Sequence, residues 1–132
     1  MTTSLADNKQ VAIAFLDALT HWDWDKTSSL MTEDATYWIA GNTSVSGQTN
    51  SRQEYIDQAR RLFAPMKEPM ALDFGDITAE DDRVALEMWS TLNFPDGRTY
   101  RNRYHILFTV REGKIASVRE YMDTQHVYEL FG

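Results

Sequence analysis

The stretch Thr99–Asp123 constrains this chain most. It reads TYRNRYHILFTV, then REGK, then IASVREYMD, two runs of alternating apolar side chains around a short glycine-bearing turn, which is the pattern of an antiparallel hairpin. Strand side chains alternate with period two. Tyr100, Asn102, Tyr104, Ile106, Phe108 and Val110 therefore share one face, and Arg101, Arg103, His105, Leu107, Thr109 and Arg111 share the other. The even face is the core face. It carries an amide at Asn102 and a phenol at Tyr104, and polar groups on a buried face need partners.

The turn decides what stands opposite them. A three-residue turn, Arg111-Glu112-Gly113 with Gly113 at positive φ, pairs Val110 with Lys114 and sets Glu120 opposite Tyr104. A two-residue Glu112-Gly113 turn instead flips the last strand and turns Arg119 and Tyr121 inward. We take the three-residue turn as the expectation, so that a carboxyl beside a tyrosine on a core face becomes the main chemical lead.

The remaining chain reads as a cover for this hairpin. Ser4 can cap a helix whose apolar positions Leu5, Val11, Ala12, Phe15, Leu16 and Leu19 recur at three- and four-residue steps. His21-Trp22-Asp23-Trp24-Asp25 breaks that pattern, and Asp25 or Thr27 can start a short second helix through Leu30 and Met31. Trp22 and Trp24 read first as packing between helices, with ligand contact as the second reading. ATYWIA, residues 35–40, alternates as a short strand with Tyr37 and Ile39 on one face, and GNTSVSGQTN, residues 41–50, is a polar loop, either a lid or a connection. Ser51 and Glu54 form a capping box ahead of a helix whose stripe is Tyr55, Ile56, Ala59, Leu62 and Phe63, closed by Pro65.

Strands follow. Residues 70–78 alternate loosely, Glu80-Asp81-Asp82 marks a solvated bend, and Val84, Leu86, Met88 and Ser90 alternate with Ala85, Glu87, Trp89 and Thr91. Pro95-Asp96-Gly97 fits a three-residue hairpin turn that sets Ser90 opposite Asn102 and Met88 opposite Tyr104. QHVYELF, residues 125–131, can form a last helical turn over the sheet edge or a pocket mouth. Two or three helices with one short strand among them, then four strands in hairpin succession, make an α+β layout with helices on one face of a curved antiparallel sheet.

At 132 residues the chain is expected to be a single domain, 1–132, burying roughly two-thirds of its unfolded surface. A net charge of -7 argues against a nucleic-acid surface, which needs clustered Lys and Arg. Without cysteine there is no disulfide framework and no thiol nucleophile. The start, MTTSLADNKQ, has neither a basic nor an apolar leader region, and no apolar run approaches the roughly 20 residues of a membrane span. The default expectation is a soluble cytoplasmic protein with no membrane partner.

FLDALTHWDWDKTSSLMTEDATYWIAG near the start and GRTYRNRYHILFTVREGKIASVREYMDT at the end resemble the nuclear-transport-factor-like superfamily, in its SnoaL-like and ketosteroid-isomerase-like branch. The resemblance covers nearly the whole chain. It implies a cone-shaped, strongly curved antiparallel sheet with about three helices on its concave face, enclosing an apolar pocket, and a homodimer through the outer face. The superfamily hosts isomerases, cyclases, dehydratases, epoxide hydrolases and binding-only proteins, so fold follows from it more directly than chemistry.

Carried over residue by residue, the resemblance is partial. The acids of ketosteroid isomerases fall near Ile39 and within Tyr104–Ile106, and both are missing here. Glu120 and Tyr37 match an active-site acid and tyrosine of limonene epoxide hydrolases, whose middle-strand Arg and Asp correspond to Met88 and Ser90, or to Glu87 and Trp89 with another gap placement. SnoaL-type cyclases pair a last-strand acid, matched by Glu120, with a histidine on the preceding strand; His105 lies on the opposite face from Tyr104 unless a bulge intervenes.

From the residues alone, Glu120 is the best acid/base candidate, because a carboxyl on an apolar face loses hydration and its pKa rises from about 4.3. The competing reading pairs it with an arginine. Tyr37 and Tyr104 are the candidate hydrogen-bond donors to a developing oxyanion. Asn102, Ser90, Met88, Ile39, Val118, Phe63 and Trp24 are the candidate substrate-binding residues. His21, His105 and His126 are scattered without metal-ligand spacing, so no metal and no cofactor is expected. Two functions follow: a cofactor-independent acid/base enzyme acting on a small hydrophobic, cyclic molecule, or a non-catalytic pocket or dimerisation module. The homodimer expectation also has a residue basis, since Trp89, His105, Leu107 and Tyr121 lie among Arg101, Arg103, Glu87 and Arg119 on the odd face.

Overall fold

A computed structural model describes residues 4–132; the first three residues of the N-terminal stretch read above lie outside the described residues. Helix α1 (Leu5–Thr20) is followed by α2 (Trp24–Ser29), β1 (Met31–Ile39), β2 (Gly47–Thr49), α3 (Arg52–Phe63), β3 (Ala71–Glu80), β4 (Arg83–Asn93), β5 (Thr99–Arg111), β6 (Lys114–Met122) and α4 (Thr124–Phe131). The six strands form one unclosed, curved sheet in the order β2-β1-β6-β5-β4-β3. This is the expected α+β class, with two corrections. The described residues form four helices rather than about three, and the sheet is mixed, because β1 runs parallel to β6 while every other neighbour is antiparallel. A strand near the start that pairs with the last one, across the intervening helix and hairpins, cannot be seen in local periodicity.

Local chemistry sets the helix ends. Ser4 caps α1 by accepting the Asp7 N–H at 3.0 Å. Helix α2 is capped by Asp23, not by Asp25 or Thr27: the Asp23 carboxylate accepts the Lys26 N–H at 3.2 Å, while the buried Thr27 hydroxyl donates back to the Asp23 carbonyl at 2.7 Å. The capping box of α3 is displaced by one residue on its return side. Ser51 accepts the Glu54 N–H at 3.1 Å, but Glu54 reaches the N–H of Asn50 rather than that of Ser51. The polar stretch 41–50 is not all loop, since β2 within it pairs with the end of β1.

The two long hairpins show how turn and register combine. Between β4 and β5 the Pro95-Asp96-Gly97 turn closes as expected, Gly97 sits at φ 93°, and Ser90 faces Asn102 while Met88 faces Tyr104. Between β5 and β6 the expectation was wrong. The turn has two residues, with Glu112 at φ 52° and Gly113 at φ 77° and Arg111 paired with Lys114. Both central residues at positive φ is the type I′ arrangement, whose twist suits a hairpin well enough to hold a glutamate where asparagine is usual. The flip of Arg119 and Tyr121 expected of that turn does not follow either. A bulge at Ala116 adds one residue to β6, pairing Val110 with Ile115 but Thr109 with Ser117, so the parity is restored. Ile115 and Val118 are buried, Glu120 points inward, and its cross-strand partner is Ile106 rather than Tyr104.

The inner face of the sheet and the stripes of α1 and α3 make the core. Phe15, Leu16, Tyr37, Leu86, Ile106, Phe108 and Ile115 are all but fully buried, and each such apolar side chain contributes about 1.5–3 kcal/mol relative to exposure. Phe15 sits at the centre, with its ring edge-on to Phe108 and tilted against Tyr37 and Tyr55.

Candidate functional site

The helices do not fill the whole inner face. Between α1, α3, the β2 loop and α4 a cavity of about 690 Å³ remains, floored by the β1, β6, β5 and β4 residues Tyr37, Ile39, Glu120, Met122, Tyr100, Tyr104 and Met88. Apolar side chains of α1, α3 and the C-terminal helix close its sides, including Leu16, Leu19, Leu62, Phe63, Val127 and Phe131. Its mouth is polar, with Gln48, Asp57, Gln58 and Arg61.

Parallel pairing of β1 and β6 builds the acidic end. Ile39 pairs with Glu120 and Tyr37 with Val118, so Tyr37 and Glu120 lie on the same face of adjacent strands, two positions apart. The Tyr37 hydroxyl donates to Glu120 Oε1 at 2.6 Å. Helix α3 adds Tyr55, whose ring stacks on Tyr37 with centroids 3.9 Å apart and planes 6° apart. No arginine is paired with Glu120 among the described residues, which removes the ion-pair reading.

Protein surrounds the Glu120 carboxyl except where the cavity meets it, so it keeps some accessible surface but little of its bulk hydration. Burial pushes its pKa up to about 7, and the bond from Tyr37 keeps it from rising further. Near neutrality it therefore exists both as acid and as carboxylate. Tyr37 and Tyr55 are pushed well above the ordinary phenol value, first by burial and then by the Glu120 charge, so both keep their protons.

A second polar cluster occupies the β4–β5 end of the floor. The phenol oxygens of Tyr100 and Tyr104 are 2.7 Å apart, Ser90 donates to Tyr104 at 3.2 Å, and Asn102 Nδ2 donates to Tyr100 at 2.9 Å. Burial raises both phenols, Tyr100 to about 12.

Of the candidates read from sequence, Glu120, Tyr37, Tyr104, Met88, Ile39 and Phe63 line the cavity. Four do not. Ser90 and Asn102 lie behind the two phenols and bond to them; Val118 is buried in the sheet beside Tyr37; Trp24 packs on Phe63 from outside, with the Arg60 guanidinium over its ring. For Trp24 the packing reading prevails. The even-face parity of β4 and β5 could not tell a cavity-facing side chain from one covered by a larger neighbour. His105 stays on the outer face, between Glu87 and Tyr121. Sequence reasoning missed Tyr55 and Tyr100. Tyr55 was visible as the one hydroxyl on an otherwise apolar helical stripe, and Tyr100 as the first of three successive polar residues, Tyr100, Asn102 and Tyr104, on a core-facing strand. No group of three His, Cys, Asp or Glu among the described residues could hold a metal ion. No helix among them is long and apolar enough to cross a membrane.

The sequence profile of the SnoaL-like domain matches residues 12–118, so the chain belongs to that family, within the NTF2-like superfamily. Solved structures agree on the fold. An NTF2-like protein from Burkholderia xenovorans is 21% identical, with a TM-score of 0.79 over 98% of each chain. An NTF2-like protein from Anabaena variabilis is 25% identical, with a TM-score of 0.77 over 92% of this chain and 94% of the other. A limonene-epoxide-hydrolase-like epoxide hydrolase from Mycobacterium tuberculosis is 17% identical, with a TM-score of 0.77 over 96% of this chain and 90% of its own. None of the curated proteins matches the sequence. The family contains isomerases, hydrolases and hydroxylases.

Proposed function

We propose that this protein is an acid/base enzyme acting without a cofactor on a small, hydrophobic, cyclic substrate, with Glu120 moving the proton. The observation that carries the reading is a single carboxyl at the floor of an apolar cavity, bonded only by Tyr37 among the described residues and poised near neutrality. As carboxylate, Glu120 removes a proton from carbon next to a substrate carbonyl; the electron pair moves onto the carbonyl oxygen, and the same carboxylic acid returns the proton to oxygen or to another carbon. Tyr104, at the other end of the floor, supports the negative oxygen. Epoxide hydrolysis of the kind named for the mycobacterial neighbour is less well supported, because Met88 presents a thioether where those enzymes are expected to carry a charged residue, and Ser90 is committed to Tyr104.

The test is exchange of carbon-bound hydrogen in D2O, using a panel of cyclic ketones sized to the cavity. Wild type should accelerate exchange for at least one member and Glu120→Gln should not. Tight binding without exchange by either form would favour the alternative, a non-catalytic pocket.

We also propose that a second copy of the chain covers the outer face of the sheet. Trp89, Leu107 and Trp38 are half-buried there, Tyr121 is 45% exposed, and the Arg103 guanidinium lies 5.0 Å over the Trp89 ring. The face carries both Arg101, Arg103 and Arg119 and Asp73 and Glu87, and a surface with both signs can complement itself across a two-fold axis.

A further inference from the structure

We propose that the Tyr100–Tyr104 pair is a one-donor anchor that selects ligands bearing a hydrogen-bond acceptor, and that Asn102 is the positioning residue that keeps that donor turned to the cavity. This deepens the reading of the cavity as a ligand site and rests on it.

The donors and acceptors of this cluster can be counted one by one. Asn102 is fully used: Oδ1 accepts the Arg103 N–H at 2.8 Å and the Asp123 N–H at 3.1 Å, while Nδ2 donates to the Asp123 carbonyl at 3.0 Å and to the Tyr100 phenol at 2.9 Å. Turning the amide over would face two N–H groups with an NH2, so the orientation is fixed and Tyr100 must accept from Asn102. Ser90 donates to Tyr104. The two phenols own two hydroxyl hydrogens and share one bond, which uses one of them. Whichever way that bond runs, one hydroxyl hydrogen of the pair is left over. No acceptor for it exists among the described residues, and both rings form the cavity wall.

A buried donor without a partner is costly, and a ligand acceptor would satisfy it. The surplus hydrogen belongs to a phenol that already accepts two bonds, and such chains polarise the last donor. At neutral pH both phenols stay protonated, because burial raises them. Glu120 lies on the same face of the neighbouring strand, its partner Ile106 being two residues from Tyr104, a diagonal spacing of roughly 7 Å. The ligand is therefore a compact ring system with a carbonyl, or an equivalent acceptor, directed to the phenol pair and away from the acid.

The same count yields a sharp test. In Asn102→Asp one carboxyl oxygen still accepts the Arg103 and Asp123 N–H groups, while the other, keeping its proton for the Asp123 carbonyl that the amide served, now accepts the Tyr100 hydroxyl. Tyr104 then donates to Tyr100, and no surplus hydrogen remains although both phenols are present. Tyr100→Phe and Tyr104→Phe each leave one hydroxyl hydrogen free; only the double variant removes it.

The experiment measures binding of 1-tetralone and of tetralin, its hydrocarbon counterpart, and the carbonyl stretching frequency of the bound ketone. Wild type should prefer the ketone by about tenfold or more and lower its carbonyl frequency. The single Phe variants should keep most of both effects, while Asn102→Asp and the double Phe variant, checked for cooperative melting, should lose them and still bind tetralin. Retention of the frequency shift in the double variant, or equal affinity for both probes in wild type, would overturn the anchor while leaving Glu120 chemistry intact. Failure of wild type to bind either probe would count against the cavity as a site for such rings, and so against both readings.

Discussion

The β5–β6 hairpin carries two unlike faces a few ångströms apart. On its inner face the polar groups meet protein partners: Glu120 takes the Tyr37 hydroxyl, Asn102 makes four bonds, and Tyr100 and Tyr104 bond to each other with one hydroxyl hydrogen to spare. On its outer face Arg101, Arg103, Arg119 and His105 are exposed, and Arg103 meets a ring rather than a carboxylate. The difference is one of solvent. Water satisfies the outer charges at no structural cost, whereas an inner polar group must be matched by protein or ligand. Function that depends on a shifted pKa belongs on the inner face, and function that depends on contact with another macromolecule belongs on the outer one.

Exchanging the two faces should have the largest effect. Inserting one alanine beside Ala116, with the two-residue turn and a one-residue bulge kept, moves the rest of β6 on by one position, so that Arg119 and Tyr121 turn inward and Glu120 outward. An unpaired guanidinium in the core costs several kcal/mol, and the variant should fail to show a cooperative thermal transition. A native-like melt and near-UV spectrum would mean that β6 can re-register elsewhere.

Next comes the inner acid itself. Glu120→Gln can still accept from Tyr37, and it should lower proton exchange by about a hundredfold or more. Its effect on stability has a definite sign. The folded pKa of about 7 stands above the unfolded 4.5, so the stability contributed by the neutral acid is complete below pH 4.5 and is lost as pH rises to about 7. The loss is about 3 kcal/mol at most, since water in the cavity screens the charge. Urea unfolding of Glu120→Gln should lack this dependence and exceed wild type above pH 7. Equal stability of the two proteins at pH 8 would refute the desolvated carboxyl.

Weakening the outer face alone should separate the faces cleanly. Trp89→Ala should weaken self-association by about 2 kcal/mol, seen by sedimentation across micromolar concentrations, and leave tetralone binding unchanged. A wild type that sediments only as a monomer would sink the second copy. Smaller still is Tyr37→Phe, which should cost about 1 kcal/mol in stability and raise the Glu120 pKa by removing the bond that restrains it. The limb of the pH–rate profile that reports Glu120 should move upward; a downward move would contradict the assigned donor. Least of all, Glu54→Ala touches neither face and should cost only about 0.5 kcal/mol in thermal unfolding, through the lost bond to Asn50.

Much of this architecture was legible in the chain. Period-two alternation identified β4 and β5 and their buried faces, because side-chain parity along a strand is a covalent property that needs no partner. Pro95-Asp96-Gly97 specified its own turn and, through it, the Ser90–Asn102 and Met88–Tyr104 pairs. The inward face of Glu120 was read correctly from an incorrect turn, since Glu112 at positive φ and the bulge at Ala116 each shift parity by one and cancel. What only the tertiary structure decided were the meetings of distant segments: β1 parallel to β6, which brings Tyr37 to a carboxyl 83 residues away; α3, which stacks Tyr55 on Tyr37; and the bond count that leaves one phenol hydrogen facing the cavity. Turn preference and alternation are energies of neighbouring residues and can be summed along a sequence, but a hydrogen bond between separated elements exists only once the whole core has fixed their distance and orientation.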